Sequence, residues 1–261
     1  IGYNYNREYK ESEIMNISMD YVLEKLEVLL KTPSPTGNTE KAIQFVENEF
    51  KSLGIVTSRN KKGALIATIE GKNKDKEITL SGHVDTLGGM VKEIKGNGKL
   101  KITQLGGYVW NTIEGEHVEI ETLEGNTYTG TIMTTKASSH VHGEETKTIE
   151  KNMANMEIRI DEVVNNAEDV ENLGINVGDF VSFDPRTIFT KSGFIKSRHL
   201  DDKAGVVALL GIAKYLVDNN IKPEYTTNFF ISNYEEVGHG AAASIPEKTF
   251  EFIAVDMAAP G

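Results

Sequence analysis

The chain has 261 residues, 39% hydrophobic and 26% charged, which is ordinary globular material with apolar content for one or two cores. A formal net charge of −11 excludes chain-wide attraction to nucleic acid or anionic lipid. With no cysteine there is neither a disulfide framework nor a thiolate metal site, so any metal falls to His, Asp and Glu.

The N-terminal stretch "IGYNYNREYKESEIMN" is polar and lacks the apolar core of a signal peptide. No segment approaches the roughly 18 apolar residues of a membrane span, so a cytoplasmic protein is the expectation. Apolar residues from Tyr21 to Leu30 recur at helical spacing. "KTPSPTGNTE" breaks that pattern, and Asn38 or Thr39 is placed to cap a second amphipathic helix running through Ile43, Val46 and Phe50 to Gly54. "GALIATIEG" and "EITLSGHVD" then read as short strands. Helix, helix, strand, strand is the opening of an α/β layer.

Between about Gly88 and Ser192 the texture changes. "HVEIETLEG", "NTYTGTIMTT" and "NMEIRIDEV" alternate apolar with polar residues between Gly- and Asn-containing turns, the pattern of an antiparallel sheet or small barrel. A short helix is predicted from Asn166 to Leu173. "DDKAGVVALLGIAKYLVDNN" is a helix apolar nearly all round, hence buried, and "TTNFFISNY" and "FEFIAVDM" return to core-strand texture. These elements predict an α/β domain interrupted by a β-rich insert of normal domain size, divided as 1–87, 88–192 and 193–261. An apolar strand running almost into the last residues leads the chain to be expected to continue.

Four places carry polar residues at strand ends or at the start of the buried helix. His83 and Asp85 lie two apart on a strand and so face the same side, where a carboxylate can orient a metal-binding imidazole. Asp201 and Asp202 precede the buried helix, where one Asp suffices as an N-cap. Glu235 and Glu236 end the "NFFISNY" strand, and alternation along a strand would point them to opposite sides. Asp256 ends the last strand. Taken singly, each also reads as a polar strand end, a cap beside Lys203, or a turn.

Taken together they point to one site. Ligands of open α/β sheets bind at the carboxyl ends of the strands. A sheet that gathers His83, Asp85, Asp201, Glu235, Glu236 and Asp256 at one edge assembles five carboxylates and one imidazole, which repel one another without cations. A pair of divalent ions resolves the repulsion, and oxygen and imidazole donors suit zinc, cobalt or manganese without choosing among them. Two metals about 3.5–4 Å apart are a recurrent hydrolytic arrangement. One glutamate on a metal and its neighbour acting as general base on the water would account for the pair.

These residues resemble the co-catalytic metallo-aminopeptidases of the glutamyl and deblocking type, metallopeptidase family forty-two. The matching pieces are "GHVD", "LDDKAG", "EEVGHGA" and "AVDMAAPG" in family order, with the β-rich insert between the first two, from about Met19 onward. The resemblance implies a phosphorylase/hydrolase-like mixed sheet with helices on both faces, interrupted by a barrel-like insert. It further implies an aminopeptidase that removes N-terminal residues from short peptides with two divalent metal ions. Asp201 would bridge both ions, His83 and Asp256 would complete one, and Glu236 would bind the other. Glu235 would be the general base and Asp85 the residue orienting His83, with Asp202 capping the helix. The family's last ligand histidine comes from a C-terminal segment without a counterpart here. None of His117, His140, His142, His199 and His239 stands out as its substitute. The family's insert mediates dimers and hollow dodecamers, so a homo-oligomer is expected.

Other readings compete. A related dinuclear amidohydrolase, such as a deacylase or carboxypeptidase, shares the HxD and EE elements, and an inactive scaffold would keep the fold alone. A glycosidase needs carboxyls flanking its bond about 5–9.5 Å apart, which adjacent residues of one strand do not provide.

Overall fold

A computed structural model of the chain describes residues 16–241 and 243–258. The polar N-terminal stretch up to residue 15, and the last three residues of "AVDMAAPG", lie outside the described residues. Helix α1, Met19–Lys31, opens on Ser18, whose hydroxyl accepts from the Tyr21 N–H, and it buries Leu26, Leu29 and Leu30. Helix α2, Glu40–Ser52, has Thr39 at its N-cap position, although the Thr39 side chain makes no capping bond. It stops at Gly54, whose φ of 75° lies in the left-handed region.

Three strands follow: β1 (Val56–Arg59), β2 (Leu65–Ile69) and β3 (Asn73–His83). Strand β1 had no counterpart in the sequence reading. "VTSR" has one apolar residue and no periodicity, and its place is set by antiparallel pairing with β2. Next come β4 (Gly88–Ile94), β5 (Leu100–Leu105), β6 (His117–Glu121) and β7 (Thr127–Thr134). Two single-turn helices, α3 (Ser139–His142) and α4 (Glu145–Thr148), precede β8 (Met156–Ile160). Helix α5 (Ala167–Asn172), capped by the Asn166 side chain, leads to β9 (Phe180–Phe183). Strands β4 to β9 close into a six-stranded barrel, order β4-β5-β8-β7-β6-β9, with every pair antiparallel. The barrel has its own core, including Ile102, Ile120, Ile132, Ile158 and Val181.

A ribbon of β10 (Ile188–Phe189) and β11 (Ile195–Lys196) leads into α6 (Leu200–Asp218), then β12 (Tyr225–Ser232) and β13 (Thr249–Ala254). The main sheet has the order β1-β2-β12-β3-β13 and is mixed, as expected. Strands β3 and β13 run parallel to their neighbours β12 and β3, while β2 runs antiparallel to β12. Phe229 and Ile231 of β12 share one core with α1, α2 and α6, and the Phe50 and Phe229 rings lie 5.5 Å apart.

The parallel register carries the functional consequence. His83 pairs with Ser232, and Ser81 with Ala254, so β3, β12 and β13 all end at one edge. Residues that follow those ends must meet there. Among the described residues no helix is long and apolar enough to cross a membrane.

Candidate metal centre

Strand β3 delivers His83 into a buried position, 1% exposed. Its Nδ1 lies 2.9 Å from the Asp85 carbonyl oxygen and 3.4 Å from Asp85 Oδ1. That contact turns Nε2 toward Asp201 Oδ1 at 3.2 Å and Glu235 Oε2 at 3.5 Å. Burial opposes charge on the ring, but the bond to Asp85 and the nearby acids outweigh it and push the His83 pKa up to about 10.

Asp85 is wholly buried. It accepts from the Thr36 hydroxyl at 2.8 Å, the Glu235 N–H at 3.1 Å and the Glu236 N–H at 3.2 Å. Burial would raise its pKa, yet the His83 contact and these donors hold it below the ordinary carboxylate value.

At the start of α6, Asp201 and Asp202 lie outside helical φ/ψ and are joined by a cis peptide. Their side chains divide. Asp201 faces His83, whereas Asp202, 2% exposed, accepts from Gly205 N–H at 3.2 Å and His83 N–H at 3.0 Å. Asp202 therefore caps the first regular turn and holds the end of β3.

The glutamates correct the sequence reading. Strand β12 ends at Ser232, Tyr234 takes a left-handed φ of 66°, and Glu235–Val237 form a 3-10 turn. Strand alternation does not apply there. Both backbone N–H groups aim at Asp85 instead, and the side chains part beyond it. Glu235 reaches His83, whereas Glu236 lies under the turn after β5, where a Cβ on Gly106 would come within 3.3 Å of Glu236 Cβ. Asp256 follows β13 and accepts from the Met257 N–H at 2.6 Å.

One ligand atom each from His83, Asp201 and Asp256 fall within 4.8 Å of one another. Glu236 stands outside that group of three, on the barrel side of the site. The site opens on a cleft of about 280 Å³ lined by Ser81, Ser232, Glu235, Phe252 and Asp256, among others. The electrostatics fit a cation. Burial, then the charge of Asp201, raises Glu236 to about 7, and burial with the other acids raises Asp202 to about 7. Asp201 and Glu235 move in the same direction, with burial and Asp256 among the causes. Imidazole and carboxylate donors without thiolate match zinc, cobalt or manganese.

Outside this cluster, His117, His140 and His239 are exposed and His142 is half-buried. His199 is buried at the head of α6, and burial with the Lys203 charge drives its pKa down to about 3, a neutral core histidine. Two positions of the site were missed. Thr36 is separated by 49 residues from its partner Asp85, and Gly106 lies in the insert, so neither had a local signal.

Residues 63–261 match the family model of the M42 glutamyl aminopeptidases. A Bacillus subtilis (strain 168) protein described as "Putative aminopeptidase YhfE" is 51% identical over 94% of this chain and 70% of its own length. The glutamyl aminopeptidase of Lactococcus lactis subsp. cremoris is 24% identical over 90% of this chain and 66% of its own length. Among solved structures, the Pyrococcus horikoshii TET1 peptidase, which can assemble into a tetrahedron or a large octahedral shell, is similar with a TM-score of 0.71. It is 26% identical over 83% of this chain, which spans only 62% of the TET1 chain.

Proposed function

The chain belongs to the M42 glutamyl aminopeptidase family, and from that premise we propose that it is the metal-dependent part of an aminopeptidase that removes N-terminal residues from peptides. The observation that carries this reading is the convergence of His83, Asp201 and Asp256 within 4.8 Å, with Glu235 3.5 Å from the same imidazole.

In this reading His83, Asp201 and Asp256 would hold one divalent ion, and Asp201 and Glu236 would be the residues to hold a second. Zinc, cobalt and manganese all suit the donors. Bound ions would supply Lewis acidity and make water acidic near neutral pH. The remaining work belongs to the chain. Glu235 accepts the proton of the attacking water and returns it to the departing amine, one carboxylate serving as base and then acid. Asp85 fixes the His83 ring so that Nε2 faces the ligand carboxylates. Residues 88–192 form an insert between the catalytic parts 1–87 and 193–261. A cytoplasmic, dimer-based homo-oligomer, up to a dodecamer, belongs to the same proposal. The shells of the Pyrococcus relative support the assembly.

The test is a substrate panel at neutral pH. Short peptides with free amines should release their first residue, N-acyl amino acids should stay intact, and a chelator should abolish turnover. Glu235→Gln should lower kcat by about 10²–10⁴-fold. Hydrolysis of the N-acyl compounds instead would favour a deacylase, and a fully active Glu235→Gln would falsify the base assignment.

A further inference from the structure

After α1 the chain does not leave for the surface. Residues 32–36 pass beneath the end of β3 as a strap that is half-buried at Thr32 and Pro33 and buried from Ser34 to Thr36, with Ser34 1% and Thr36 4% exposed. The Thr32 carbonyl accepts from Lys203 Nζ at 2.7 Å, and Lys203 is itself wholly buried at the head of α6. The Ser34 hydroxyl donates to the Val84 carbonyl at 2.7 Å. Ser34 accepts from Thr86 N–H at 2.9 Å, and Thr36 N–H donates to the Thr86 carbonyl at 3.1 Å. The strap is thus fixed by bonds that use none of the metal-cluster side chains, and it carries one bond that reaches a site side chain. That bond runs from Thr36 Oγ1 to Asp85 Oδ2 at 2.8 Å.

Asp85 Oδ2 also accepts from the Glu236 N–H, while Oδ1 accepts from the Glu235 N–H and faces His83 Nδ1. A carboxylate is planar, so a donor that fixes one oxygen limits the rotation of the other. One hydroxyl on a rigid segment therefore bears on both sides of the site: the imidazole below and the glutamate turn above.

We propose that Thr36 is a positioning residue whose hydroxyl locks the Asp85 carboxylate and, through it, sets both the His83 ring and the Glu235–Glu236 turn for metal binding. This rests on the metal-centre reading given above. Mutating the outer partners of metal-binding histidines typically weakens metal affinity about 10–100-fold, and Thr36 stands one bond further out.

The experiment is a cobalt titration of the chelator-stripped full chain, read by visible absorption, with circular dichroism confirming each fold. Parent, Thr36→Val, Thr36→Ser and His83→Ala are compared, with Thr36→Ala as a second hydroxyl-free variant should Thr36→Val fail to fold. The proposal expects Val or Ala to weaken the first cobalt about tenfold and to alter its absorption band, and Ser to restore both. A hydroxyl-free variant with the parent's affinity and spectrum overturns the proposal while leaving the metal centre intact. So does a Thr36→Ser variant as impaired as Thr36→Val. A parent that titrates like His83→Ala overturns the metal-centre reading itself, and this proposal with it.

Discussion

Asp85 shows what one buried carboxylate can organise. Its two oxygens receive a hydroxyl and two backbone N–H groups and face an imidazole. Asp85→Asn keeps the shape but sets an amide N–H₂ against some of those donors, leaving buried groups unpaired. The variant is expected to lose about 10–100-fold in metal affinity, measured by calorimetric titration. An unchanged affinity would mean that the ring is oriented by the Asp85 backbone carbonyl alone. His83 and Asp85 were picked out as neighbours, but for a reason the structure corrects: β3 ends at His83, so strand alternation does not place Asp85, and the ring meets first the Asp85 backbone carbonyl, at 2.9 Å. Thr36 was not legible, since its segment read only as the break after a helix. The glutamates were half legible. Their charge conflict singled them out, but the strand ends at Ser232 and Tyr234 turns left-handed, so alternation does not sort their roles.

At the scale of elements, α1, α2 and α6 followed from apolar spacing and an all-apolar run, because burial writes its period directly into the sequence. Strand β1 did not, because its pairing with β2 rather than its own side chains places it. The helix layer is held against β12 by Phe229, fully buried beside Phe50. Phe229→Ala is expected to cost about 3–5 kcal/mol in denaturant unfolding. In the barrel, Glu157 of β8 is buried and pairs with Lys95 and with Lys99, the latter at 2.5 Å. Burial alone would raise the Glu157 pKa, but the two lysines outweigh it and lower the value. A depressed carboxylate stabilises the fold above its unfolded value near 4.5, and that contribution is lost as pH falls through the folded value. Glu157→Gln should therefore cost about 1–2 kcal/mol at pH 7, the half-solvated lysines limiting the effect. The difference from the parent should shrink below about pH 4.5. A difference that stays constant with pH would assign the loss to packing.

At the scale of the whole molecule, the interruption of an α/β unit by a β-rich segment was legible as a change of texture; alternation left an antiparallel sheet or a small barrel open, the family resemblance implied the barrel, and the structure closes it through pairings between strands distant in sequence. The parallel placement of β3, β12 and β13 is what turns four separate motifs into one edge. If that edge binds divalent ions, the folded state alone gains from them. Zinc at about a hundred times its dissociation constant should add about 2.7 kcal/mol, seen as a higher Tm that chelator reverses. The central claim, that this edge is a metal centre, is tested most directly by anomalous diffraction from crystals soaked in cobalt or zinc. The account predicts a peak at about 2.0–2.2 Å from His83 Nε2 and from carboxylate oxygens of Asp201 and Asp256. No peak there, or peaks only at surface sites such as His140, would contradict it.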